Sequence, residues 1–125
     1  MDKEKGLAYC GLACCLCGEN ATCAGCRNGG CADREGCRNR NCCMDKGYRG
    51  CWECPDFPCA GTMLDKVRIR AFARYIREFG EADILRALGR NEKNGIVYHH
   101  AGTLVGDYDR FDTEERILWL IRTGQ

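Results

Sequence analysis

Cysteine is missing from the last 66 residues of this chain, and large apolar side chains are sparse in the first 59. Neither a strong excess of charge nor a long apolar run occurs anywhere. Each absence excludes a class of protein. Nothing approaches the roughly 18 consecutive apolar residues of a membrane span, and Met1-Asp2-Lys3-Glu4-Lys5 lacks the apolar core of a secretory signal, so the expectation is a cytoplasmic protein off the membrane. The net charge is +1, with 8 basic against 8 acidic residues up to Cys59 and 11 against 10 beyond it, which creates no demand for nucleic acid or an anionic surface. Apolar stock before residue 60 is essentially Leu7, Tyr9, Leu12, Leu16, Met44, Tyr48, Trp52 and Phe57. That is too little to offset a backbone ordering cost of roughly 1–2 kcal/mol per residue.

What the first half has instead is cysteine, 13 in all, between Cys10 and Cys59. The pairs Cys14-x-x-Cys17, Cys23-x-x-Cys26 and Cys51-x-x-Cys54 have the two-residue spacer that lets two thiolates address one tetrahedral ion. A disulfide framework expects an even count and an oxidising compartment, and neither is indicated. The glycosylation-like Asn20-Ala21-Thr22 is then a chance match. A structural zinc contributes on the order of 10 kcal/mol, enough for this half to fold once metal is bound. Its Asn28-Gly29-Gly30, Asn39-Arg40-Asn41 and Lys46-Gly47 predict loops and short turns wrapped around ions.

Helical periodicity begins after Asp56-Phe57-Pro58-Cys59. Leu64, Val67, Ala71, Tyr75 and Phe79 recur at three and four residues, and Gly80 supplies a stop. A shorter helix is expected from about Ala82 to Leu88, ending near Gly89. Asn94-Gly95 signals a turn, with Ile96 to His99 and Thr103 to Val105 paired as a hairpin. Asp112 as N-cap, with Glu115 three residues on, predicts a last helix through Ile117, Leu118, Leu120 and Ile121 to Gly124. The fold class that follows is a small α+β protein, a single domain over residues 1–125. Its irregular zinc-stapled part, residues 1–59, packs on a mainly helical part, residues 60–125, that carries a short hairpin.

A family resemblance rests on Tyr9-Cys10-Gly11-Leu12-Ala13-Cys14-Cys15-Leu16-Cys17, Cys23-Ala24-Gly25-Cys26, the stretch Cys37 to Cys42, Lys46-Gly47, and Cys51-Trp52-Glu53-Cys54-Pro55-Asp56-Phe57-Pro58-Cys59. In these, and in Gly95-Ile96-Val97-Tyr98-His99-His100 and Gly106-Asp107-Tyr108-Asp109, the whole chain resembles the prokaryotic family called domain of unknown function 3795. The resemblance implies a small cytosolic protein that binds zinc and has no established activity. It also implies the ligand set Cys10, Cys14, Cys17, Cys23, Cys26, Cys31, Cys37, Cys42, Cys51, Cys54 and Cys59. Cys15 and Cys43 are additions beside matched positions, and adjacent residues seldom turn both side chains to one ion, so these two read as buried or free thiols. Two or three zinc ions fit the set, one site drawing on Cys10 to Cys31 and another on Cys37 to Cys59, with interleaved pairing also open.

Iron is the rival ion, since all-thiolate sites also hold iron-sulfur clusters. Cys10-x-x-x-Cys14-x-x-Cys17 has the spacing of the radical S-adenosylmethionine enzymes, but 125 residues without alternating strands and helices cannot build their barrel. A thiol oxidoreductase would set Cys-x-x-Cys at a helix start in a βαβ unit, which is missing, and a metallothionein-like store would not need the helical half. His99 and His100, the only histidines, offer a fourth ligand or a general base and read more simply as hairpin residues. Asp107, Asp109 and Asp112 lack the glycine and glutamate of a calcium loop and read as a solvated turn. Arg27 to Arg49 and Asp65 to Glu78 are locally basic, with Trp52 and Tyr48 as stacking groups if nucleic acid bound there. The reading adopted is zinc-dependent structure serving recognition of a protein partner, with no catalytic residue assigned. An iron-sulfur or thiol redox protein is the main alternative, and a nucleic-acid-binding zinc protein the lesser one.

Overall fold

The computed structural model describes residues 6–16, 37–98, 100 and 105–124. Four α-helices are found there: α1 Arg38–Lys46, α2 Val67–Phe79, α3 Glu81–Lys93 and α4 Glu114–Thr123. A short 3-10 turn at Cys14–Leu16 precedes them, and others at Cys51–Glu53, Met63–Asp65 and Asp107–Arg110 lie between them. No strand occurs among the described residues, so the chain is helical and the α+β expectation is corrected. No helix among them is long and apolar enough to cross a membrane.

Among the described residues the expected hairpin forms no strand ladder. Asp107 N–H does donate to Val97 O at 2.7 Å and His100 N–H to Val105 O at 2.9 Å, as two facing segments would. Yet the Val97 N–H is taken by the Asp107 carboxylate at 2.8 Å, so the next rung of a ladder has no donor. His99 and the residues 101–104 lie outside the described part.

α2 is buried around much of its circumference, through Arg68, Ile69, Ala71, Phe72, Ala73, Tyr75 and Ile76. It packs on α3 and α4 and also meets the Cys51–Glu53 turn, which is why its apolar residues spread beyond the single stripe read from the sequence. Leu64, expected inside this helix, belongs to the preceding 3-10 turn, where Thr62 Oγ1 accepts from Leu64 N–H at 3.2 Å. Gly80 ends α2 with φ +93 and starts α3 directly, a conformation that favours glycine. α3 does not stop at Gly89. It continues one turn because Leu88 and Asn91, both 0% exposed, sit on its inner face, and that burial outweighs the roughly 1 kcal/mol that glycine costs in a helix.

Asn91 also closes α4. Its Nδ2 donates to Leu120 O at 3.0 Å and to Tyr108 Oη at 3.1 Å, while Arg90 Nη2 donates to Ile121 O at 2.8 Å. These bonds satisfy carbonyls that a helix end leaves open. At its start the cap is Thr113, not Asp112: Thr113 Oγ1 accepts from Arg116 N–H at 3.4 Å. Glu114, in the first turn under either cap, pairs with Arg74 at 2.8 Å and Arg70 at 3.5 Å on α2.

One apolar cluster runs through both parts of the chain. Phe72, Tyr98 and Tyr108 meet at tilted and edge-to-face angles with centroids 5.1 to 6.2 Å apart, and Leu7, Ala13, Cys43 and Trp52 join the same cluster. The cysteine-rich part therefore lends its few large side chains to a shared core. Gly11 makes the close approach possible: its φ is +100, and a Cβ there would lie 2.9 Å from Ala73 N.

Candidate metal centre

α1 follows Cys37, its extended N-cap residue, and ends at Gly47 in the left-handed region with φ +74, where Tyr48 N–H reaches back to Cys43 O at 2.8 Å. Asn39 and Cys43, four residues apart on one stripe, are its buried side chains. Cys42 is half-buried, and Met44, Asp45 and Lys46 are exposed.

The second segment is the turn Cys51–Glu53. Cys51 N–H donates to Tyr9 O at 2.7 Å, which ties the turn to the N-terminal loop. Gly50 precedes it because Trp52 folds back there: a Cβ at Gly50 would fall 2.2 Å from the indole ring. Cys54 N–H donates to Cys51 O and Phe57 N–H to Cys54 O, at 3.1 and 3.2 Å, so the chain winds tightly towards Cys59.

These two segments bring sulfur to sulfur. Cys43 Sγ lies 3.7 Å from Cys51 Sγ, and Asn39 Nδ2 donates to Cys51 Sγ at 3.2 Å. The thiol of Cys43 donating to Cys51, and then the Asn39 amide, hold Cys51 below the ordinary thiol value against the opposing effect of burial. Cys43 is pushed up by the same bond, by burial and by the nearby Cys51, Cys42 and Cys54. Cys59 is pushed up by burial and by Cys54, Cys51 and Cys42. Lys46, exposed at the end of α1, is raised by the nearby Cys42 and Cys54.

Cys42, Cys43, Cys51, Cys54 and Cys59 thus share one electrostatic neighbourhood. Among the described residues, no three cysteine, histidine or acidic side chains converge closely enough to grip an ion. The donor set nevertheless suits a thiophilic divalent ion: soft sulfur, a buried amide donor against it, and little competing oxygen.

A second group of sulfurs belongs to the N-terminal loop. Cys10 and Cys14 are buried near Tyr98, whose Oη accepts from Ala13 N–H at 3.0 Å, and Cys15 is buried near Tyr108. Burial, and then Cys14, push the Cys15 thiol up to about 12, so it stays protonated. Cys37 is half-buried at the start of α1. Cys17, Cys23, Cys26 and Cys31 lie outside the described residues, as does His99.

Other candidates from the sequence have local work. His100 Nε2 lies 3.6 Å from Asp107 Oδ1. Asp109 Oδ2 accepts from Gly106 N–H at 2.7 Å and from Arg68 Nη1 at 3.1 Å. Asp112 is exposed. On the basic stretch of α2, Arg68 lies over the Tyr98 ring, Arg70 and Arg74 pair with Glu114, and Arg77 donates to Cys54 O at 3.2 Å. Trp52 is 6% exposed with its ring turned onto Gly50, which removes it as an open stacking platform. Asn39 carries no signal of its own in the sequence. Its i, i+4 spacing from Cys43 marks it only once α1 is known to be a helix.

No curated protein and no solved structure matches the chain. The family match is narrower than the whole-chain resemblance: it takes in Cys23 to Cys59, and it leaves out Cys10, Cys14, Cys17 and the helices α2 to α4. Residues 18–64 match the model of the family described as a protein of unknown function, DUF3795.

Proposed function

We propose that this is a metal-binding protein whose thiolates hold structural zinc, two or three ions per chain, and that the unit so built serves recognition of a protein partner in the cytoplasm. The observation that carries the reading is the meeting of α1 with the Cys51–Glu53 turn, where Cys43 and Cys51 stand 3.7 Å apart with Cys42, Cys54 and Cys59 close enough to perturb them. A closed four-thiolate site leaves no position for substrate or activated water, which favours structure over catalysis. Exposed Trp119 on α4, 58% accessible, is the kind of side chain that anchors a protein interface.

The test is elemental analysis of protein purified without oxygen. Two or three zincs per chain with no iron and no labile sulfide is the expected result. Brown protein containing iron and sulfide moves the assignment to an iron-sulfur cluster, and protein that retains no metal removes the proposal. For the partner, copurification that survives high salt is expected, whereas salt-sensitive retention on nucleic acid favours phosphate binding instead.

A further inference from the structure

We infer that Asn39 is a positioning residue for the sulfur of Cys51, presenting an amide N–H that holds this sulfur as a metal-bound thiolate. The inference deepens the zinc reading and rests on Cys51 being one of the ligands.

The argument starts from burial. Asn39 is 4% exposed, on the inner stripe of a nine-residue helix whose last turn is solvated. A primary amide in that place needs an acceptor for its N–H groups and a donor for its oxygen. Asn39 Oδ1 accepts from Met63 N–H at 3.1 Å. A backbone N–H only donates, so exchanging the amide ends would set donor against donor. The orientation is fixed, and the nitrogen end is the one that meets Cys51 Sγ, at 3.2 Å.

A sulfur facing a fixed N–H is required to accept. A neutral thiol accepts weakly, while a thiolate forms a charge-assisted bond roughly twice as strong as a neutral one. Donation into a ligand sulfur also withdraws charge from it, which eases repulsion between thiolates that share an ion. Groups beyond the ligands commonly do this, orienting the ligand and tuning the metal. Cys43 lies one helical turn along the same stripe and meets the same sulfur at 3.7 Å, so α1 approaches Cys51 with two groups and not one. Met63 belongs to the 3-10 turn Met63–Asp65, which locks the amide from the side opposite Cys51.

The experiment uses the full chain, labelled with nitrogen-15 and loaded with cadmium-113 in place of the native ion. A cadmium resonance that correlates with the β-protons of Cys51 is expected to couple also to an Asn39 side-chain amide proton, across the N–H to sulfur bond. Asn39→Asp keeps an oxygen for Met63 N–H but removes the donor and sets a carboxylate against the sulfur. Competition with a chromophoric chelator should show metal affinity about 10–100-fold weaker in this variant, with the cadmium resonance displaced. A chain that binds neither cadmium nor zinc overturns the metal reading, and this inference with it. Cadmium held by Cys51 without coupling to Asn39 overturns the inference alone, and so does cadmium held without Cys51. The coupling is read in the unmodified chain, so it decides the matter even if Asn39→Asp does not fold.

Discussion

Tyr98→Phe removes one oxygen atom at the join between the cysteine-rich loop and the helices. Tyr98 is 4% exposed, its ring 5.7 Å from Phe72 and 6.2 Å from Tyr108, with the Arg68 guanidinium 4.8 Å above it. Phenylalanine keeps that ring and all its apolar burial. What changes is Ala13, wholly buried between Cys10 and Cys14, whose N–H donates to the Tyr98 hydroxyl at 3.0 Å. Taking away one partner leaves a buried donor without its acceptor, which costs about 1–3 kcal/mol, more than the net worth of an average hydrogen bond. For a chain of this size the midpoint should fall by about 4 °C per kcal/mol, so roughly 4–12 °C. Urea and thermal unfolding of the two proteins at equal metal loading measure the loss, because bound metal itself shifts stability. Hydrogen exchange at the Ala13 amide locates it. A change under about 0.5 kcal/mol with Ala13 protection intact would refute the reasoning, since it would mean that this donor has no need of the hydroxyl.

Asn91→Leu keeps the branched shape, with somewhat greater bulk, but strips the donor from Leu120 O and the Tyr108 hydroxyl, and should destabilise by about 2–4 kcal/mol in denaturant titration; a loss below about 1 kcal/mol contradicts the capping role. Gly11→Ala forces a side chain into a positive-φ site against Ala73 N and should cost about 1–3 kcal/mol, with unchanged stability showing that the loop does not lie on α2 as described. Tyr75→Phe tests a titration: Tyr75 Oη, and then Arg86, hold the Asp83 carboxyl below its ordinary value. The folded value is depressed, so the stabilisation is present above the ordinary carboxylate value near pH 4 and is lost as pH falls through the depressed one. In Tyr75→Phe the Asp83 midpoint should rise towards the ordinary value in an NMR titration, and an unmoved midpoint counts against the bond.

What the sequence made legible was set by range. The apolar period from Val67 to Phe79 and the stop at Gly80 are local, and α2 ends where they say. The signal at Gly89 was equally local and misled, because Leu88 and Asn91 are decided by what α4 places beside them. At the start of α4, Asp112 and Thr113 are both competent caps, and which hydroxyl or carboxylate reaches the open N–H groups is a matter of local geometry: Thr113 takes Arg116 N–H. In the expected hairpin, the Asp107 side chain takes the Val97 N–H that a ladder there would use, a competition that strand propensity does not register. Cysteine spacing pointed to metal and to Cys51, but the approach of Cys43 and Asn39 to that sulfur depends on α1 lying across the turn, and no spacing encodes that.

The placement of α2 explains why a cysteine-rich loop is joined to a helical unit at all. A metal cross-link fixes the chain at a few points without covering apolar surface, and Leu7, Ala13 and Trp52 need a partner to exclude water from them. α2 supplies it on one side while α3 and α4 pack against the helix themselves. The same helix holds the loop by its backbone: Arg77 donates to Cys54 O at 3.2 Å, and Arg74 and Arg77 lie 5.3 and 5.5 Å from the Phe57 ring. Arg74 in turn pairs with Glu114 in the first turn of α4. The Cys51–Cys54 segment is therefore continuous, through Phe57 and two arginines, with the helix that exposes Trp119. A change at that segment therefore reaches the outer face of α4 through α2, because all three belong to one packed unit.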